Sequence, residues 1–226
     1  MKQMHESSQA SFKRSVRLPR TGRFAEGAIM IVLVLTLLND IPLAITISTG
    51  RVLVALGGAD GRLPLSHLPQ LLQAELREGT QGTLADADLG LRLLAALPTV
   101  LHAVTVTAAA ILLIGILYRV ALGRPFSSEV LRRWRWLTAV LLIGGVLQSL
   151  ADTGAILYLS LHIGLLTAGS MPREDIVSFL GGDYSIISTN APQWPIPILL
   201  GGIIALALGV AFRAGAQLVE EADGVV

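Results

Sequence analysis

Three ionisable side chains interrupt long apolar runs at one level: Asp40, His102 and Asp152. Asp40 lies sixteen residues beyond Phe24, Asp152 sixteen beyond Trp136, and His102 seventeen before Arg119. At about 1.5 Å per helical residue, each would stand roughly 24–26 Å from a common face. Two carboxylates and an imidazole at one depth can hold a proton, a cation or a small polar ligand. Thr36, one turn from Asp40, and Gln148, one turn from Asp152, extend the cluster along the same helix faces. The same residues would also serve as a polar clasp between helices, or would reach water at a membrane boundary. A carboxylate costs about 2.5–3.5 kcal/mol at the centre of a bilayer and less near its edge, so partners are expected on any of these readings. Metal binding fits less well, because no tight ligand spacing such as His-x-x-x-His is present.

A second chemistry-bearing stretch is Gly123–Thr138, GRPFSSEVLRRWRWLT. Arg124, Arg132, Arg133 and Arg135 crowd into it, and Trp134 and Trp136 mark the start of the next apolar run. Arginine beside tryptophan at such an edge is the pattern of a membrane's cytoplasmic face. Near the other end of the chain stand Arg213 and the acids Glu220, Glu221 and Asp223. Their charges complement those of Arg132, Arg133 and Arg135, which makes the two groups a candidate docking face for a partner. Ordinary positive-inside charge plus a solvated end accounts for them as well, since an exposed ion pair contributes only about 0–1 kcal/mol.

Enzyme signatures are missing. The chain has no Gly-x-Ser-x-Gly, no His-Glu-x-x-His and no Walker-type loop. Ser160 and His162 are near neighbours on a helix and do not face one another. Gly181-Gly182-Asp183 reads as a turn. With no Cys, thiolate catalysis, disulfides and Cys-ligated metals are excluded. The expectation is a non-enzymatic protein with no cofactor and no metal, and without direct nucleic-acid binding.

The elements that must position these residues are set by composition. The chain of 226 residues is 53% hydrophobic with a mean hydropathy of +0.67. Four blocks of about 20 mostly uncharged residues are each long enough to cross the hydrocarbon core as a helix. The fold class is therefore an all-α membrane protein, with spans at about 26–47, 97–118, 136–159 and 194–212. The loops are 48–96 and 160–193, a basic tail covers 1–23 and an acidic tail 214–226. The basic leader reads as a tail rather than as part of a signal peptide, because the apolar run continues past Asn39-Asp40 without a small-x-small site.

Within the first loop, β-branched Ile45–Leu56 suggests a strand or hairpin, and Gly57–Gly61 a turn. Ser66 can cap a short amphipathic helix to Glu78, with Leu68, Leu71, Leu72 and Leu76 on one face. Pro98 suits a first helical turn, Ser127 an N-cap, and 183–188 a short strand. Gly201, Ala205 and Gly209 offer close approach to a neighbouring helix.

The segments PFSSEVLRRWRWL and AFRAGAQLVEEADGVV resemble the bacterial membrane-protein family called domain of unknown function 2975. The likeness lies in a Phe-Ser pair before the third span and in a tail of the form Phe-Arg-x-Gly-x-x-Leu-x-x-Glu. Here these are Phe126 and Ser127, then Phe212, Arg213, Gly215, Leu218 and Glu221. The span arrangement agrees over most of the chain, the specific residues only in those two patches. The resemblance implies a small four-span protein, and a link to a helix-turn-helix regulator, which some relatives have encoded beside them. It implies no catalytic residues.

The expected role is a sensor or regulatory membrane partner in the bacterial inner membrane, coupling an outer polar pocket to a cytoplasmic docking face. The lipid bilayer is one partner, with a helix-turn-helix regulator or a membrane protein as the second, and oligomers are allowed. The rival is a small transporter or an accessory subunit of one. Against a proton relay, few ionisable groups lie below the polar cluster in the spans.

Twelve Lys and Arg fall in the two tails and the middle turn, against five in the two long loops. Both termini should therefore be cytoplasmic. In this Cys-free background, single cysteines at Gln81 or Ser185 should label from outside. Cysteines at Ser128 or Ala222 should be protected until the membrane is permeabilised. External labelling at Ser128 would reverse the orientation.

Overall fold

The protein was analysed as a computed structural model, which describes residues 20–54, 60–166 and 171–223. Residues 1–19 of the expected basic tail, most of the expected Gly57–Gly61 turn and residues 224–226 lie outside that range. In chain order the elements are α1 (Arg20–Thr49), β1 (Leu71–Leu76), α2 (Leu89–Ala121), α3 (Ser128–His162), α4 (Arg173–Leu180), β2 (Tyr184–Thr189) and α5 (Ile196–Asp223). Four of the described helices, α1, α2, α3 and α5, are long and apolar enough to cross a membrane. Their 30, 33, 35 and 28 residues correspond to roughly 42–52 Å. The spans expected from the sequence are thus the apolar middles of longer helices.

These helices form a row. α1 packs on α2, α2 on α3, and α3 on α5, with no comparable seam joining α1 to α5. Small residues set the spacing at both seams of α3. A Cβ on Gly144 would lie 2.3 Å from Thr105 Oγ1 of α2, and one on Gly202 would lie 2.7 Å from Leu142 Cδ2. The line Gly201, Ala205 and Gly209 faces α3: Ala205 is buried, and a Cβ on Gly209 would stand 3.6 Å from Trp134 Cβ.

One end of the row is covered by a cap built from both loops, and the cap holds the larger of the two apolar cores. Leu65, Leu84, Leu91, Leu159 and Leu180 are completely buried there, joined by Ile47 from the end of α1. The two strands pair antiparallel, Leu71 opposite Thr189 and Leu76 opposite Tyr184, so the sheet stitches one loop to the other. α4 ends on Gly181 in the left-handed region, where a Cβ would lie 2.4 Å from the Ala87 nitrogen. Only glycine suits that position.

Several local expectations are corrected. The segment from Ile45 is not a strand: α1 stays helical to Thr49, with Ile47 in the cap core. Ser48 and Thr49 hydroxyls donate back to the Ile45 carbonyl at 3.0 and 2.7 Å, which helps a β-branched helix end persist. No amphipathic helix forms over 66–78. Pro69 disfavours the helical region for the residue before it, and Leu68 is extended (φ −67°, ψ 126°) after a single 3₁₀ turn at Leu65–His67. Chain 71–76 then becomes β1, and Leu72, assigned to the apolar face, is 72% exposed.

Of the expected hairpin, an antiparallel bridge between Arg51 and Arg62 is present, with the Val52 N–H donating to the Gly61 carbonyl at 2.8 Å, while the two-stranded sheet takes one strand from each loop. The strand expected at 183–188 is present as β2. Pro98 is not in a first turn, because Asp88 caps α2 earlier by accepting from the Leu91 N–H at 3.0 Å. Ser127 occupies the N-cap position of α3, but its hydroxyl makes no capping bond. The last span and the acidic tail share one helix, since α5 runs from Ile196 to Asp223.

A carboxylate clips the outer edge of this cap. Arg173 hydrogen-bonds Asp183 and Arg77 lies 3.4 Å away, and together they hold the Asp183 carboxyl below the usual carboxylate range. A depressed folded pKa stabilises the fold above the unfolded value of about 3.9, and that stability is lost as pH falls through the folded pKa. Protection factors in β1 and β2, corrected for the intrinsic exchange rate, should therefore fall on acidification below about pH 4. Asp183→Asn should exchange faster at neutral pH and show a weaker acid response. Exchange in Asp183→Asn equal to wild type at neutral pH would mean that the clip does not hold the cap.

Candidate functional site

Immediately beneath the cap, a cavity of about 240 Å³ opens among α1, α2, α3 and the two loops. Asp40, His102, Gln148 and Asp152 all line it, together with Gln70, Gln193, Thr99 and Pro98. Thr36 does not line the cavity. The common level follows from straight helices of constant rise. The convergence in space follows from the α1–α2–α3 packing.

Asp40 is only 5% exposed, and its Oδ2 lies 2.5 Å from His102 Nδ1. One proton lies in that contact, and whichever group carries it donates to the other. Asn39 Nδ2 donates to the other oxygen at 3.0 Å. Asp152, also buried, accepts from Gln70 Nε2 at 3.0 Å and from the Gln193 backbone N–H at 2.8 Å. One carboxylate on α3 thus ties down both loops.

Gln70 is the residue that sequence reasoning missed. It is 1% exposed and is placed by Asn190, whose N–H donates to the Gln70 carbonyl at 2.8 Å and whose side chain donates to Pro69 and Leu71 carbonyls. A glutamine beside proline in an apolar stretch was the one available signal. Gln193 contributes through its backbone, for which side-chain chemistry gives no signal.

The cavity holds acceptors that no donor answers. Gln70 Oε1 and Gln148 Oε1 are buried without a donor, and both carboxylates have lone-pair sites left over. A buried, unpartnered acceptor costs about 1–3 kcal/mol, so a species that brings donors is favoured. Thr99 is the one hydroxyl in the lining, and no hydrogen bond joins it to His102. Among the described residues, no three His, Asp or Glu side chains converge as a metal cluster.

The opposite end of the row gathers the basic residues but divides them. Arg133 turns toward α2: it bonds Glu129 at 3.0 Å and lies over Gly115. Arg119, near the end of α2, meets the same carboxylate at 2.5 Å. Arg135 and Arg213 instead line a groove of about 440 Å³ between α3 and α5. Arg132 lies with Arg135 along a separate depression beside Trp136. Glu220 and Glu221 are exposed on α5, and among the described residues no ion pair joins them to Arg132, Arg133 or Arg135.

The two patches that carry the family resemblance meet here. The Phe126 ring lies 6.0 Å from Phe212, which stacks on Trp134 at 5.6 Å, and a Cβ on Gly215 would come 2.7 Å from Phe126.

No protein-family model, curated protein or solved structure matches this chain.

If the polar residues act as one site, removing one carboxylate should alter what the other contributes. A double-mutant cycle between Asp40→Asn and Asp152→Asn in detergent should give about 0.5 kcal/mol or more of interaction energy. Strict additivity would resolve the cavity into two unrelated clasps.

Proposed function

We propose that this protein is a sensor or regulatory partner of the bacterial inner membrane, with both termini in the cytoplasm and the cap outside. The carrying observation is the acceptor-rich cavity on which three helices and both loops converge. Its ligand is a small donor: an ammonium-type or hydrated monovalent cation, or a proton. Such a ligand touches α1, α2 and α3 at once, so its binding energy bears on how those helices sit against each other. α3 is continuous from Asp152 to Ser128 and connects the cavity to the basic end. There Arg132, Arg133, Arg135, Arg213, Glu220 and Glu221 form the face offered to a partner.

The resemblance to domain of unknown function 2975 supports a helix-turn-helix regulator as that partner. A transporter is the weaker reading. Between the cavity and the basic end, α2 and α3 carry no Asp, Glu, His, Lys or Arg. The hydroxyls of Thr105 and Thr107 are bonded to carbonyls of their own helix.

The two halves of this reading are separable. Truncation after Arg213 should leave insertion and topology intact, because the four spans and the orienting arginines remain, but should abolish cross-linking to the partner in native membranes. Asp40→Asn combined with Gln148→Leu should keep the cross-link, yet lose any change in it when ammonium or a monovalent salt is added outside. A truncated protein that still cross-links overturns the docking half. A cavity variant that responds like wild type overturns the ligand half.

A further inference from the structure

The groove between the basic ends of α3 and α5 combines features of a lipid site. Leu206 and Val210 line it on α5 and Trp134 on α3, and Arg135 and Arg213 are the two charged residues of its lining. Gly209 forms part of the wall and adds no side chain. Neither arginine has an acidic partner among the described residues, whereas Arg119 and Arg133 share Glu129. Trp134 is 8% exposed, yet its indole N–H has no acceptor. The groove thus presents two unpaired guanidinium groups beside an apolar wall.

Gly209 is level with Trp134, and Arg213 lies one turn, about 6 Å, farther toward the end of α5. α5 closes the row and has α3 as its one close helix neighbour, so the groove opens sideways rather than into the bundle.

We infer that this groove seats one anionic glycerophospholipid. The headgroup phosphate lies on Arg135 and Arg213, and an acyl chain runs along Val210 and Leu206. A phosphate ion from water would satisfy the arginines alone and leave the apolar wall uncovered. A lipid uses both, as basic pockets between membrane helices do. The site lies at the opposite end from the acceptor-rich cavity, and its existence does not depend on which leaflet the basic end meets.

The test is native mass spectrometry of the full chain in micelles supplied with phosphatidylglycerol or phosphatidylcholine, with helical content matched across variants by circular dichroism. Wild type should retain one phosphatidylglycerol in preference to phosphatidylcholine. Arg135→Gln and Arg213→Gln should each lower that retention about five-fold, as expected for loss of one basic side chain at an anionic headgroup. Arg124→Gln, an equal charge change on the exposed turn, should not.

Gly209→Leu, which keeps both arginines but fills the groove, should also lose the preference. If that variant fails to fold, the arginine pair still decides the matter. Equal retention of the two lipids by wild type would overturn the site, as would equal losses in Arg124→Gln. Displacement of the lipid by excess inorganic phosphate would indicate a water-borne anion instead. A dimer that persists after delipidation and protects the groove would indicate a second copy, and either result overturns the lipid assignment.

Discussion

The structure depends on one buried carboxylate more than on any other polar group. Asp152 accepts from Gln70, 82 residues before it, and from Gln193, 41 residues after it. Unpaired, a carboxylate in that position would be expelled or neutralised. Paired, it makes both loops part of the helix row. That matters because the row is open, with no seam between α1 and α5 to close a bundle. The cap supplies the closure. Ile47 carries the end of α1 into the cap core, and Gln193 brings the chain entering α5 onto α3. Between those anchors the β1–β2 pair joins chain segments about 110 residues apart, as in the Ser185 hydroxyl bond to the Glu75 carbonyl.

What could be read from the sequence was whatever depends on local length and rise. Twenty uncharged residues make a spanning helix almost regardless of surroundings. Asp40, His102 and Asp152 share a level because residue counts translate directly into depth along a helix. What resisted reading was set by partners far along the chain. The spacing of Leu68, Leu71, Leu72 and Leu76 fits one helical face, but Pro69 and a strand from the other loop overrule it. Strand preference of that kind depends on the neighbouring strand rather than on the residues themselves. Gln70 enters the site through the same long-range pairing, so no inspection of its own neighbourhood could have placed it. In the other direction, Ile45–Thr49 looked extended by composition, yet burial of Ile47 keeps it helical.

Charge counting met a similar boundary. Arg132, Arg133 and Arg135 contribute equally to the basic total that orients a membrane protein, but a helix turns about 100° per residue and sends them to different neighbours. Arg133 is held by Glu129 against α2, while Arg135 faces α5 without an acid. A sum of charges cannot separate a structural arginine from a free one. The contact of Phe126 with Phe212 and Gly215 is likewise invisible in either segment alone, although both segments stood out by resemblance.

These two ends share α3, and the mechanical properties of the helices differ in a way that bears on coupling. α1 and α2 each contain a proline close to the polar cavity: Pro42 two residues from Asp40, and Pro98 four from His102. A proline inside a helix removes a backbone hydrogen bond and locally weakens the ladder. α3 contains none over its 35 residues, and it meets its neighbours through Gly144 and through Gly202 of α5, where backbones approach closely. Asp40 and His102 therefore sit where a proline weakens the ladder of their own helices, whereas the α3 residues of the cavity do not. α3 is one uninterrupted helix from Trp134 and Arg135 to Gln148 and Asp152, so the cavity and the basic end share a single element.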